Sequence, residues 1–177
     1  MIEIDSSMAK ALVALIYGVP GIAALAAPGA ASRVVRLFPD NFPAGRILSA
    51  VALAWAAALV YFTPLDFIAK FKLAIAAFLL ASIPLSWQWM RLLLAARSLG
   101  ALWCLAPAPI LVAVRFAPGA GRLVAVSLCY VMAVAGMASL FSPYLLRDFC
   151  FWLADGGRAR MRAWGALLAI CGAAALL

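Results

Sequence analysis

The chain has 177 residues, of which 69% are hydrophobic and only 11% charged, with a mean hydropathy of +1.13. A soluble domain of this length needs a polar shell that so few charges do not supply, so the bilayer is the solvent the composition calls for. The formal net charge of +8 is no nucleic-acid signature, because the basic residues fall between apolar runs, the pattern of loops that face anionic lipid.

There is no histidine, and Cys104, Cys129, Cys150 and Cys171 lie far apart with no C-x-x-C pair. Imidazole metal sites, His-ligated haem, His-based catalytic triads and thioredoxin-like chemistry are excluded together. No cofactor and no metal are expected, and the cysteines read as small buried apolar thiols.

The start, MIEIDSSMAK, leads into an apolar run that no polar mature chain follows, so the run is expected to be a retained span rather than a cleaved signal. Apolar runs cover residues 11–27, 47–63, 73–90, 101–114, 123–141 and 163–177. About 20 helical residues cross a hydrocarbon core of roughly 30 Å. Several runs are shorter and need flanking aromatics, snorkelling Arg or a locally thinned bilayer. The fold expected is an all-α, six-span polytopic membrane protein forming one domain over residues 1–177, with five spans as the fallback if the short 101–114 run does not cross. Trp87, Trp89, Trp103, Trp152 and Trp164 stand near run ends, where an aromatic belt would lie.

Gly18, Pro20 and Gly21 interrupt the first run, and Pro107 and Pro109 interrupt the fourth. These residues are the candidate broken-helix site. Each break has two readings: a kink with close helix approach, or freed backbone groups that bind a solute or ion.

Thr63-Pro64 is followed by LDFIAKFK, and Ser142-Pro143 by YLLRDFCFWLAD. Ser or Thr caps a helix, and Pro fits its first position because its missing N–H would be unpaired there anyway. In the second segment Leu145, Leu146, Phe149, Trp152 and Leu153 share one face, away from Arg147, Asp148 and Asp155. In the first, Phe67, Ile68 and Phe71 form the apolar face, while Asp66 and Lys70 pair at i, i+4. Both segments are expected to lie in the interface plane. Gly156-Gly157 ends the longer one. Arg147, Trp152, Arg158, Arg160 and Arg162 are its candidate headgroup anchors.

Residues 11–90 and 101–177 also make candidate halves of a 3+3 inverted repeat, each with an Ala-Leu start, prolines, a Pro-Gly-Ala turn and a Gly-Arg entry into the next run.

Asp155-Gly156-Gly157-Arg158-Ala159-Arg160 is similar to the D-G-x-x-A-R core of the CDP-alcohol phosphotransferases, which are also six-span enzymes. That motif needs an Asp where Trp152 stands, and a Gly and two Asp where Ala169, Ala173 and Leu177 stand. A dinuclear metal site needs several close carboxylates, so that reading fails. No apolar run carries an ionisable residue near its centre, which argues against a proton-coupled carrier or a retinal protein. Tyr17, Ser49, Ser82, Ser127 and Tyr130 are the polar groups left inside spans, where interhelical or backbone hydrogen bonds are expected.

The final third has an apolar helix, the Ser142-Pro143 break, an amphipathic segment ending at Asp155, basic Arg158, Arg160 and Arg162, and a second apolar helix opening Trp164-Gly165-Ala166. In this plan it resembles small bacterial inner-membrane proteins of the YjeT type. That family implies a bacterial inner-membrane setting and no activity, and no functional residue is carried over from it.

The expected function is therefore non-enzymatic: an accessory or structural membrane subunit in contact with anionic lipid headgroups and with other membrane subunits or copies of itself. The alternative is a small transporter or pore for a neutral solute. With six spans, one side holds nine basic residues (Arg33, Arg36, Arg46, Arg91, Arg97, Arg147, Arg158, Arg160 and Arg162) and the other five (Lys10, Lys70, Lys72, Arg115 and Arg122). The positive-inside bias puts the nine in the cytoplasm and both termini outside. On a Cys-free background, an impermeant thiol reagent applied from outside is expected to modify a cysteine placed at Ser6 and spare one at Gly157; the reverse pattern would refute this orientation.

Overall fold

The computed structural model of the protein describes residues 6–62, 71–89, 93–115 and 120–176, and these are helical nearly throughout. In chain order the helices are α1 (Ser6–Ala26), α2 (Pro28–Leu37), α3 (Phe42–Phe62), α4 (Lys72–Trp89), α5 (Leu94–Leu105), α6 (Pro107–Val114), α7 (Ala120–Phe141), α8 (Pro143–Asp155) and α9 (Gly157–Ala174). Among the described residues, five stretches are long and apolar enough to cross a membrane: Ser6–Ala26, Phe42–Phe62, Lys72–Trp89, Leu94–Val114 and Gly121–Phe141. Ala and Leu fill these stretches and cost little side-chain entropy in a helix. Satisfying every backbone group within the segment is what a bilayer demands.

The helix pairings define two ends. On α1 and α9 the partners run in opposite order, Gly21 against Ala169 and Gly18 against Gly172, so the two helices are antiparallel. Gly45 near the start of α3 meets Leu94 and Ala95 at the start of α5, so both helices set out from one end. Trp87, late in α4, donates from Nε1 to Ser49 Oγ at 3.0 Å and returns α4 to that same end. At the opposite end a buried cluster joins Ala9 and Val13 of α1, Ile110 and Val114 of α6, Ala125 and Cys129 of α7, and Ala175. The first end therefore collects α2, α8 and the starts of α3, α5 and α9, while the second collects the start of α1 and the end of α9.

Three differences from the sequence reading have clear causes. The fourth run begins at Leu94 rather than residue 101, so Arg97 lies one turn inside the span and Trp103 near its middle, not at an aromatic belt. Arg97 did not end the helix because a long basic side chain one turn from the interface can snorkel. The last run, by contrast, is not among the five: α9 is 18 residues long and carries Arg158, Arg160 and Arg162 in its first two turns. Pro20 does not break α1, which is continuous from Ser6 to Ala26. Pro107 only opens α6 after Ala106, whose backbone stays right-handed helical with its N–H on Leu102 O at 2.9 Å. A proline removes one hydrogen bond, but its φ suits a helix, and inside a packed membrane bundle the helix continues through it.

The segment expected after Thr63-Pro64, with its Asp66–Lys70 pair, lies outside the described residues. The proposed repeat is not repeated in the pairing of helices: α5 and α7 form one of the tightest contacts, whereas the corresponding α1 and α3 share no comparable one.

Glycine permits the close seams. A Cβ at Gly21 would lie 2.6 Å from Ala169 N, one at Gly100 2.9 Å from Gly136 O, and one at Gly45 2.8 Å from Ala95 N. A Cβ at Gly172 would meet Gly18 N at 2.8 Å and Ala14 O at 3.0 Å, whereas one at Gly18 meets nothing within 4 Å. Gly172→Ala is therefore expected to destabilise by about 1–3 kcal/mol. Gly18→Ala, in the same seam, should be neutral or stabilising by up to about 1 kcal/mol through helix propensity. Reversible unfolding in mixed micelles separates them, and equal effects would contradict this packing.

Candidate functional site

The end that collects the basic residues is built as a layer on top of the spans. Nineteen residues separate the first two apolar runs, more than a tight connection needs, and they hold α2, with Pro28 at its first position. The sequence reading missed this helix; Pro28 followed by Arg33 and Arg36, seven and four residues before Asp40, was the available signal. Asn41 then starts α3, its Oδ1 accepting from Ala44 N–H at 3.1 Å.

α8 packs beside α2, and both rest on α9. The centre of this layer is Ala24, Leu153 and Met161, flanked by Ala31, Val35 and Trp164. The buried face of α8 is Pro143, Cys150 and Leu153, with Leu146 half-buried. Leu145, Phe149 and Trp152, expected on the buried face, point outward instead, at 59%, 37% and 54% exposure. Their periodicity was apolar, but for a helix at a bilayer an apolar flank can meet lipid as well as protein. Phe149 stacks on Trp152 and meets Trp164 edge-on, with centroids 5.9 Å and 5.2 Å apart. Burial pushes the Cys150 thiol up to about 11, so it stays protonated and slow to alkylate at neutral pH.

The anchor residues take distinct roles. Arg160 lies over the Trp152 ring at 4.3 Å and donates from Nη1 to Trp152 O at 2.6 Å, closing the end of α8. Arg147 pairs with Asp148 at 3.4 Å and lies over Tyr144 and Phe151. Arg158 and Arg162 are exposed. Asp155 bonds Arg36 of α2 at 3.3 Å, tying the two interfacial helices together, though both side chains are more than 60% exposed. Gly157 turns the chain into α9 at φ 72°, a left-handed conformation that favours glycine.

The five candidate broken-helix residues do not converge. Gly21 faces the backbone of α9, a side chain at Gly18 would point into open space, and Pro20 is exposed on the outside of α1. Pro107 is buried at the α5–α6 junction, with Pro109 half-buried beyond it. Three of the polar groups within spans are bonded locally or between helices: Tyr17 Oη donates to Leu128 O at 2.8 Å, Ser82 Oγ to Phe78 O at 2.8 Å, and Ser49 Oγ to Arg46 O at 3.0 Å.

The described cavity lies elsewhere, between the start of α3 and the end of α4. It is an open groove of about 600 Å³ lined by Phe42, Arg46, Pro84, Trp87 and Gln88. The Arg46 guanidinium carbon sits 4.3 Å from the Trp87 ring centroid and 5.9 Å from that of Phe42. Arg46 was noticed in the sequence only as one basic residue among nine. What singles it out is Trp87, brought from α4 onto α3 by its hydrogen bond to Ser49.

Comparison of the chain with protein-family models, with curated proteins and with solved structures finds no match.

The layer gives a sharp ranking. Leu153→Ala, at a site 3% exposed, is expected to cost about 2–5 kcal/mol. Trp152→Ala should cost less despite the larger side chain, and Asp155→Asn less than about 1 kcal/mol, since an exposed pair is weak. Thermal unfolding of the three variants tests the order; Trp152→Ala as the most damaging would mean that the outer face of α8 is the packed one.

Proposed function

We propose that the protein is a multi-pass protein of a bacterial inner membrane that catalyses no reaction and serves as an accessory or structural subunit, packing laterally against other membrane subunits or copies of itself. In this reading α9 is a sixth traverse, the basic end faces the cytoplasm, and the arginines there meet anionic headgroups. The antiparallel course of α9 along α1 supports the sixth crossing, because an 18-residue helix rises roughly 27 Å. Resemblance of the C-terminal third to the YjeT type supports the bacterial setting.

One observation carries the choice of a packing protein over a carrier. Gly21, which the carrier reading needs beside a freed backbone, is occupied by the backbone of α9, with Ala169 N 2.6 Å from where a Cβ would stand. Small residues used for backbone contact are the means by which helices associate in lipid, where no hydrophobic force draws them together. α4 adds to this reading: among the described residues it packs chiefly against α3, so most of its circumference faces outward.

The alternative, a transporter or pore for a neutral solute, is favoured by one feature. Pro107 is buried near the middle of the Leu94–Val114 span, and its missing N–H leaves Trp103 O without the usual helical donor. Solute and ion flux into proteoliposomes decides between them, comparing the parent with a Pro20→Ala, Pro107→Ala double variant of matched stability. No flux is expected in either, across a broad panel of neutral solutes. Flux in the parent that the variant loses would overturn the packing role in favour of transport.

A further inference from the structure

Arg46 stands one turn into α3 in a groove open to the basic end of the protein. An arginine at this depth ordinarily extends to water or pairs with an acid. Here it is exposed but pairs with no acid of the described residues, and a chain of contacts through Ser49 brings an indole over its guanidinium. Trp87 Nε1 donates to Ser49 Oγ at 3.0 Å, and Ser49 Oγ donates to Arg46 O at 3.0 Å. Ser49 is 5% exposed, so the indole is tethered by a buried hydroxyl and its ring is held toward the guanidinium of the same Arg46. The indole covers the guanidinium carbon at 4.3 Å, and a cation–π contact of this kind does not consume the guanidinium N–H groups, which are left for an acceptor.

No carboxylate of the described residues supplies that acceptor. Asp155 is engaged by Arg36 and Asp148 by Arg147, and Asp40 forms no ion pair with Arg46. Gln88 adds an amide to the groove wall, while Phe42 and Pro84 make its apolar sides. The nearby start of α3 adds the positive end of a helix dipole. A planar, pre-oriented guanidinium with free edge donors suits the oxygens of a phosphate ester, which accept two parallel hydrogen bonds. The groove volume of about 600 Å³ exceeds what a bare phosphate needs and falls within the range of small-molecule sites.

We propose that the α3–α4 groove is a binding site for a phosphate ester, supplied by the headgroup of an anionic membrane phospholipid and held by the Arg46 guanidinium stacked on Trp87. The apolar walls then take the glycerol and the first acyl carbons, which a free phosphate monoester lacks. This assignment needs only that the chain is embedded in a bilayer, and it is independent of whether the protein transports or packs.

The test is native mass spectrometry of the detergent-solubilised full chain, titrated separately with phosphatidylglycerol, phosphatidylcholine of the same acyl chains, and glycerol 3-phosphate. Phosphatidylglycerol is expected to bind at least about tenfold tighter than phosphatidylcholine, and glycerol 3-phosphate weakly. Arg46→Gln should abolish the preference, and Arg46→Lys, which keeps the charge but not the planar donors, should retain part of it. Arg33→Gln, at an exposed position on α2 of the same end, should leave it unchanged. Thermal unfolding of each variant confirms that the fold is retained. Equal binding of the two lipids by the parent, or equal losses from Arg46→Gln and Arg33→Gln, would overturn the site in favour of general surface basicity. Glycerol 3-phosphate binding as tightly as phosphatidylglycerol would overturn the lipid as the source.

Discussion

Close approach of helix backbones at glycine is the constraint on which this structure depends. In water, apolar helices are driven together by burial; in a bilayer the lipid tails are as apolar as Leu, so association relies on contact that lipid does not match. Gly21 with Gly165 and Ala169, Gly100 with Gly136, and Gly45 with Ala95 each bring one helix backbone onto another. The first seam joins the beginning of the chain to its end, the second joins α5 to α7, and the third hangs α3, and through it α4, on α5. Side-chain hydrogen bonds reinforce the same contacts, with Ser98 Oγ 3.4 Å from Gly45 O and Cys104 Sγ 3.8 Å from Ala133 O.

Those seams also position the basic end. Because α1 and α9 are clamped antiparallel, Ala24 and Met161 meet beneath α8, and Leu153 closes over them. α2 and α8 then lie side by side and share the Arg36–Asp155 pair. The pair itself contributes little where both partners are so exposed. The apolar contact beneath it has the larger effect on where the two helices sit. The groove of Arg46 follows from the third seam, since α3 must be held at its start for Trp87 of α4 to reach Ser49.

The functional reading follows from what occupies each candidate place. Glycines and prolines within membrane helices mark either sites or packing, and local sequence does not distinguish the two. On α1 the space at Gly21 is filled by the backbone of α9 and the proline faces outward. At the start of α3, an arginine that looked like one of many interfacial charges lies over an indole brought from α4.

By itself, the sequence determined that the chain belongs in a membrane, that its interior is all-helical, that charge is concentrated between apolar runs, and that a helix follows Ser142-Pro143 and ends at Gly156-Gly157. Hydropathy, a proline at the first helical position and a glycine suited to φ 72° are local properties, readable wherever the solvent is known, although Ser142 makes no side-chain cap bond. Only the tertiary structure decided which apolar flank of α8 meets protein, that Leu153 rather than Trp152 is buried, that Pro20 lies within a continuous helix, and that Trp87 finds Arg46. The physical reason is that a bilayer removes the contrast on which burial patterns rely. An apolar side chain is equally at home against lipid or protein, so periodicity shows which residues avoid water but not which of them touch each other. That is settled by backbone shape at the seams, between residues as distant in the chain as Gly21 and Gly165.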